Sequence, residues 1–313
     1  MAIAPVDTAQ AAPKNIAFGL VLAMAGSIAF SGKAIIIKMA YRHGVDAVTL
    51  IMLRMVFALP FFLVIAWWAS RPGKGPGGAD PVALSHKDWL GIAGLGFTGY
   101  YLASFLDFAG LAYISASLER LVLYLNPTIV LLLGLLLYKR PIGRWQALGM
   151  AISYSGVLLV FGHEASLQGP DVALGAVLVF LSAVSYAIYL AYSGELVQRL
   201  GSLRLVGLAT SIACVLCIGQ FVLLRPVALV WELAPAVLWL SVLNATLCTV
   251  VPVLMVMMAI ERIGPGLAAQ VGMVGPMSTI AMGVLVLGEP FNSWIIAGTA
   301  LVLAGVYVCT RKP

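Results

Sequence analysis

Charge is what this chain of 313 residues has least of: 10% of it is Asp, Glu, Lys or Arg, against 62% hydrophobic residues. A soluble globule of that size carries roughly a quarter charged residues. Too little polar surface exists to cover one, so the chain reads as an integral membrane protein. No Walker A sequence occurs, which removes ATP as the direct energy source. The three histidines, His43, His86 and His163, lack the paired spacing of a zincin, and the four cysteines, Cys214, Cys217, Cys248 and Cys309, lie in apolar stretches. Redox or zinc chemistry is therefore not expected, and neither a metal nor a cofactor is. Residues 1–13 also lack the basic start of a secretory signal, so the first apolar segment is expected to remain as an anchor.

What the chain does have is long apolar runs. A membrane helix needs about 20 such residues, whereas a transmembrane barrel shows alternating segments of about 10. The runs divide into ten spans, near 16–38, 47–69, 88–112, 116–138, 144–162, 172–197, 204–224, 234–260, 265–288 and 293–310, which predicts an all-α fold. Orientation follows from the cations, which short loops retain on the cytoplasmic side. With both termini cytoplasmic, twelve Lys and Arg fall inside, among them Lys14, Arg71, Lys74, Lys139, Arg204 and Arg311, and only Arg42 and Arg225 fall in outside loops. The net charge of +6 is thus a topology signal, and no nucleic-acid partner is expected.

The spans occur twice. At a constant offset of 149 residues, Ile114, Leu118, Pro127, Gly134, Pro141, Trp145, Gly149 and Gly156 meet identical residue types at Ile263, Leu267, Pro276, Gly283, Pro290, Trp294, Gly298 and Gly305. Five spans per copy is an odd number, so the second copy enters the membrane upside down. The expected division is a tail, 1–15, a five-helix repeat, 16–162, a connecting loop, 163–171, and an inverted repeat, 172–313. Transporters commonly pair such halves around a solute site near mid-bilayer.

The ten spans, the Gly288-Glu289-Pro290 turn, and the proline-bearing segments at Asn126-Pro127 and Gly275-Pro276 resemble the EamA family of the drug/metabolite transporter superfamily. The resemblance implies a bundle with a central cavity between the halves, lined by spans 1–4 and 6–9, and export of amino acids, metabolites or drugs. One departure stands out: Arg140 occupies the first-half position that matches Glu289.

Ionisable groups at membrane depth cost roughly 2.5–3.5 kcal/mol each and so face a cavity or a partner. Lys33, Arg54, Asp107, Glu119 and Arg120 all fall in the outer half of the expected topology. At the 149-residue offset Glu119 and Arg120 align with Ala268 and Ala269, so the scaffold itself does not need them. Adjacent on a helix, they project about 100° apart and each needs its own partner. Solute contact and interhelical ion pairing are both open to them. Tyr100, Ser104 and Asp107 share a helical face by spacing, and Tyr186, Tyr189 and Tyr192 form a stripe that could stack on an organic solute or simply pack. Asn244 and Gln270 are further polar candidates. Pro127 and Pro276 each remove a backbone donor in mid-span and are candidate bends for gating.

Together these features predict a multi-pass protein of a bacterial inner (plasma) membrane, a secondary transporter that exports a small organic solute. Its partners are that solute and the lipid bilayer. Proton coupling through Glu119 or Asp107 is left open, because burial and a neighbouring Arg push a carboxyl in opposite directions. The oligomeric state is unassigned. The alternative is a membrane-embedded enzyme or receptor for a lipid or small ligand.

Overall fold

A chain in hydrocarbon has no water to satisfy its backbone, so each crossing must close its own hydrogen bonds. The computed structural model describes residues 16–75, 79–139, 141–169, 171–272 and 274–310, and these are helical nearly throughout, with no strand among them. In chain order they form α1 (Ile16–Tyr41), α2 (Ala47–Ala69), α3 (His86–Leu95), α4 (Ala103–Leu111), α5 (Ala116–Leu123), α6 (Asn126–Tyr138) and α7 (Arg144–Gln168). There follow α8 (Asp171–Leu200), α9 (Ser202–Leu224), α10 (Pro235–Ala245), α11 (Val251–Gly272), α12 (Val274–Met282) and α13 (Ser293–Thr310). Among the described residues eight stretches are long and apolar enough to cross a membrane, and Val274–Leu287 and Ser293–Cys309 are shorter apolar helices.

Two pairs of these helices are single rods interrupted by π-helical turns. Gly96–Leu102 joins α3 to α4, and Thr246–Val250 joins α10 to α11. Residues 97–101 and 246–250 correspond at the 149-residue offset. A π turn spoils the backbone ladder locally, and side chains repair it. Ser185 and Ser182 of α8 donate to the carbonyls of Thr98 and Ala103, both at 2.7 Å, and Thr249 donates to the carbonyl of Asn244 at 2.8 Å.

One helix does not run straight. A methyl group on Gly26 would lie 3.2 Å from Met255, while one on Gly272 would lie 3.3 Å from Ser27. A straight helix would hold positions 255 and 272 about 25 Å apart. Both touch neighbouring residues of α1, so α11 doubles back between them, with Leu22 and Ala23 packed on Ala259 and Ala268 at the reversal.

The last helix of each copy packs against the other. A Cβ on Gly149 would meet the carbonyl of Gly305 at 2.5 Å, and one on Gly156 would meet the carbonyl of Gly298 at 2.7 Å. The helices are therefore antiparallel, and each contact joins one position to the copy of the other. Between them Ser153 Oγ lies 3.4 Å from the carbonyl of Val302, its own equivalent at the offset. The αL turns that end the preceding helices also match, at Lys139 (φ 52°) and Gly288 (φ 72°).

The bundle has two ends. At the end where α1 finishes, here the Tyr41 face, Arg42 donates to the carbonyl of Leu287 at 2.7 Å and Arg225 pairs with Asp46 at 3.2 Å. At the opposite Ile16 face Arg204 donates to Ser70 and to the carbonyl of Val82, and Cys309 meets the carbonyl of Gln146. The flanks are apolar and open, with Leu223, Leu285 and Trp231 each more than 80% exposed, a surface suited to acyl chains.

The glycine seam between α7 and α13 has a direct test. Gly305→Ala places a methyl 2.5 Å from the Gly149 carbonyl, so backbone must move. Such overpacking costs about 1–3 kcal/mol. Gly134→Ala meets nothing within 4 Å. Thermal melting in detergent is expected to fall for Gly305→Ala and to stay level for Gly134→Ala.

Candidate functional site

The five membrane-depth charges converge. Lys33, Arg54, Asp107, Glu119 and Arg120 are all at most 7% exposed. Lys33 Nζ, on α1, lies 2.5 Å from Asp107 Oδ2 on α4 and 3.4 Å from Glu119 Oε1 on α5. One ammonium therefore joins two carboxylates from different helices.

The arginines are held differently. Arg120 Nη2 donates to Ser31 Oγ at 2.8 Å, and that hydroxyl lies 2.8 Å from the carbonyls of Ser27 and Gly275. The guanidinium also sits 5.4 Å from the Phe30 ring, which Lys33 approaches to 5.6 Å. Arg54 Nε donates to Thr249 Oγ1 at 3.0 Å, inside the second π turn, and its guanidinium lies 5.3 Å from the Phe108 ring. Among the described residues neither arginine has a carboxylate oxygen within 4.0 Å. Among the described residues Arg120 Nε, Arg54 Nη1, Asp107 Oδ1, both carboxyl oxygens of Glu119 and both amide atoms of the fully buried Asn244 have no hydrogen-bond partner.

The tyrosines occupy another place. Tyr100 and Tyr189 meet hydroxyl to hydroxyl at 3.1 Å with their rings edge to face, and Tyr186 stacks on Tyr189 at 5.4 Å. They pack with Ile92, Leu95 and Leu205 towards the Ile16 face. The spacing predicts one face for Tyr100, Ser104 and Asp107, yet Tyr100 turns to α8 while Asp107 turns to α1. The π turn between them widens the helix and shifts the register. Ser104 is half-buried, Tyr192 is 50% exposed, and the side chain of Gln270 lies outside the described residues. Gly96 and Gly99, from a GxGxxG sequence, allow close contact with the carbonyl of Ala209 and the Tyr189 ring.

Pro127 stands in the first turn of a new helix rather than at a bend within one. It is the second residue of α6, after a break at Tyr124-Leu125, while Pro276 lies buried beside Gly275 in α12. Each frees the carbonyl four residues earlier. Asn126 Nδ2 donates to the carbonyl of Leu123 at 2.8 Å, and the Tyr124 hydroxyl crosses to that of Gly272 at 3.1 Å.

The start of α5 gathers two acids that the charge-depth reading passes over. A helix opens with four unpartnered N–H groups. Here Glu164 accepts from Ser115 N, Glu289 Oε1 from Ala116 N at 2.7 Å, Glu289 Oε2 from Ser117 N at 3.3 Å, and Ser115 Oγ from Leu118 N at 3.0 Å. The Ser115 and Ser117 hydroxyls donate to Glu164 and Glu289 as well. Two carboxylates at a helix N-terminus also oppose the positive end of its dipole. Glu289 thus fastens the second copy onto the first at the Tyr41 face. Ser115 immediately before an apolar helix signals the cap, but nothing in the spacing brings Glu164 or Glu289 to it. Phe30, Ser31, Tyr124 and Thr249 are missed for the same reason.

Cavities of about 520 and 370 Å³ lie elsewhere, the first between α12 and α13 around Ile280, Phe291 and Thr299, the second around Asn126, Pro127 and Leu190. The ionic cluster lines neither.

Removing one member of a buried pair leaves an uncompensated charge and costs about 3–5 kcal/mol, whereas removing both together costs far less. Lys33→Met is therefore expected to lower the melting midpoint sharply, and so is Asp107→Leu. The double variant is expected to melt above the sum of the two losses, a coupling of more than about 1 kcal/mol in a double-mutant cycle.

Known proteins repeat this pattern of helices. The model of the EamA-like transporter family matches residues 17–162 and again residues 173–311. YcbK of Bacillus subtilis (strain 168), an uncharacterized transporter, is 30% identical over 286 residues, 90% of this chain and 88% of its own. An uncharacterized transporter of Archaeoglobus fulgidus is 23% identical over 289 residues, 90% of this chain and 94% of its own. A solved crystal structure superposes with a TM-score of 0.61 at 17% identity over 93% of this chain and 95% of its own, a likeness of fold. On the strength of a family match that spans nearly its whole length in two segments, this chain belongs to the EamA-like transporter family.

Proposed function

We propose that this protein is a secondary transporter that exports a small organic solute across a bacterial inner (plasma) membrane. Ten crossings divide into a five-helix half, 16–162, and an inverted half, 172–313, with both termini cytoplasmic and a solute path between the halves. The reading is carried by the buried ionic cluster, two of whose members, Glu119 and Arg120, stand where the second copy has Ala268 and Ala269. A duplicated scaffold that tolerates alanine there does not need buried charges to stand up, so the charges serve the solute path.

Several features support inversion. The pairing of Gly149 with Gly305 and Gly156 with Gly298 is what a two-fold axis through Ser153 and Val302 would produce. The matched π turns and αL caps fit the same axis. The doubling back of α11 supplies the additional crossing that the charge count requires. For orientation, Arg71, Lys74, Lys87, Lys139, Arg144, Arg199, Arg204 and Arg262 gather at the Ile16 face, which makes it cytoplasmic under the positive-inside rule. Arg71 and Lys74 lie over Trp67 and Trp68, as residues at a membrane interface do.

In this reading the contact of Glu289 with the start of α5 closes the external end, and its release opens that end as the halves rock. Arg140, the counterpart in the first half, is a cation and cannot accept from N–H groups. The direction of transport rests on the family resemblance.

Two measurements check this. In a variant without native cysteines, single cysteines at Lys74 and Ser202 are expected to react with impermeant thiol reagents only from the cytoplasm, and those at Arg42 and Ser293 only from outside. A common side for all four would end the inverted arrangement. Sealed proteoliposomes are expected to move labelled solutes from a metabolite pool without altering them, and chemical conversion with no vectorial movement would favour the membrane enzyme instead.

A further inference from the structure

Resting on the transporter reading, we propose that the solute is an organic monoanion whose carboxylate is held by Arg120 while its apolar body lies against Phe30. The charge balance comes first. The cluster holds three cations, Lys33, Arg54 and Arg120, against two carboxylates, Asp107 and Glu119, and Lys33 engages both of them. Both guanidiniums are left without a carboxylate among the described residues. Arginine keeps its proton in proteins, so neutralisation by loss of charge is closed to it. A buried guanidinium without a counterion is several kcal/mol unfavourable. A negative charge that arrives with the solute removes that penalty.

The local geometry selects Arg120 over Arg54. Arg120 Nη2 is engaged by Ser31, but Nε has no partner among the described residues, so the planar fork retains donors for a carboxylate. Gly275 lets the guanidinium and Ser31 pack against the backbone of α12: a Cβ there would stand 3.0 Å from Nη2 and 3.2 Å from Ser31 Oγ. The ring beside the fork, Phe30, is 38% exposed and offers the accessible apolar surface next to both Arg120 and Lys33. Arg54 is enclosed instead, with its guanidinium against the fully buried Phe108 and its Nε on Thr249. The excess of a single positive charge fits a monoanion. A phosphate monoester dianion would overshoot it.

The test compares matched probes on purified protein in detergent and in proteoliposomes. Hippurate and 3-phenylpropionate, their primary amides, and phenyl phosphate are measured by calorimetry and thermal shift. Wild type is expected to bind the two carboxylates at least about tenfold more tightly than the amides, Arg120→Gln to lose that preference, Arg120→Lys to keep part of it, and Phe30→Ala to weaken both acids. Without any ligand, Arg120→Gln is expected to melt no lower than wild type, because it removes a charge that no carboxylate pairs within 4.0 Å among the described residues. Amides bound as tightly as acids, a preference for phenyl phosphate, no binding of either acid, or a ligand-free Arg120→Gln that melts several degrees lower would each overturn the assignment. Solute flux without any preference for acids removes the anion site and leaves the transporter. Acid binding lost in Arg120→Gln, in a wild type that moves no solute, keeps the anion site and removes the transporter.

Discussion

Several interruptions of helix among the described residues are answered by side chains, and the constraint behind that is the absence of water in hydrocarbon. An unmatched N–H or C=O there costs several kcal/mol, so a helix can be broken only where another group takes over. The π turns rely on Ser182, Ser185 and Thr249, and the carbonyls freed by Pro127 and Pro276 rely on Asn126 and Tyr124. The start of α5 relies on Glu164 and Glu289. Three of these repairs join different parts of the bundle: Ser182 and Ser185 tie α8 to the rod of α3 and α4, Tyr124 ties α5 to the end of α11, and Glu289 ties the second copy to the first. The broken places are therefore also the places where the bundle is held together, and any motion of one half against the other exchanges these partners.

The charges obey the same economy with a different result. Lys33 bridges Asp107 and Glu119 across three helices, though neither Glu119 oxygen has a hydrogen bond among the described residues. Among those residues Arg54 and Arg120 rest on hydroxyls and aromatic faces. A protein selected for rest-state stability alone would replace them by apolar residues, just as Ala269 stands in the place of Arg120 in the other copy. Their retention sets the interior of this transporter apart from its scaffold.

The membrane class, eight of the apolar spans and the repeat were legible because they depend on composition and on spacing along one line. Lys33, Arg54, Asp107, Glu119 and Arg120 could be assigned one depth by counting residues from the span ends. Their partners could not, since pairing depends on the rotation of each helix. A π turn resets that rotation without marking the sequence: Tyr100 and Asp107, on one face by α-helical spacing, look to α8 and α1. The break at Tyr124-Leu125 was equally hidden, because Pro127 fits a kink within a helix as well as the first turn of a new one. Glu164 and Glu289 sit near span ends, where acidic residues are ordinary, and only the fold brings both to α5.

The glycine seam between α7 and α13 also bears on how the protein assembles. Gly149 and Gly156 wait for partners about 150 residues further along, a separation that ranks among the slowest kinds of contact to form. Until α13 inserts, the groove on α7 faces lipid, and the bundle is an unclosed ring. Small residues suit the final contact: a groove lined by glycine lets the two backbones approach closely, so the finished pair gains backbone-to-backbone packing along its length. The seam acts as the closing stitch of membrane insertion.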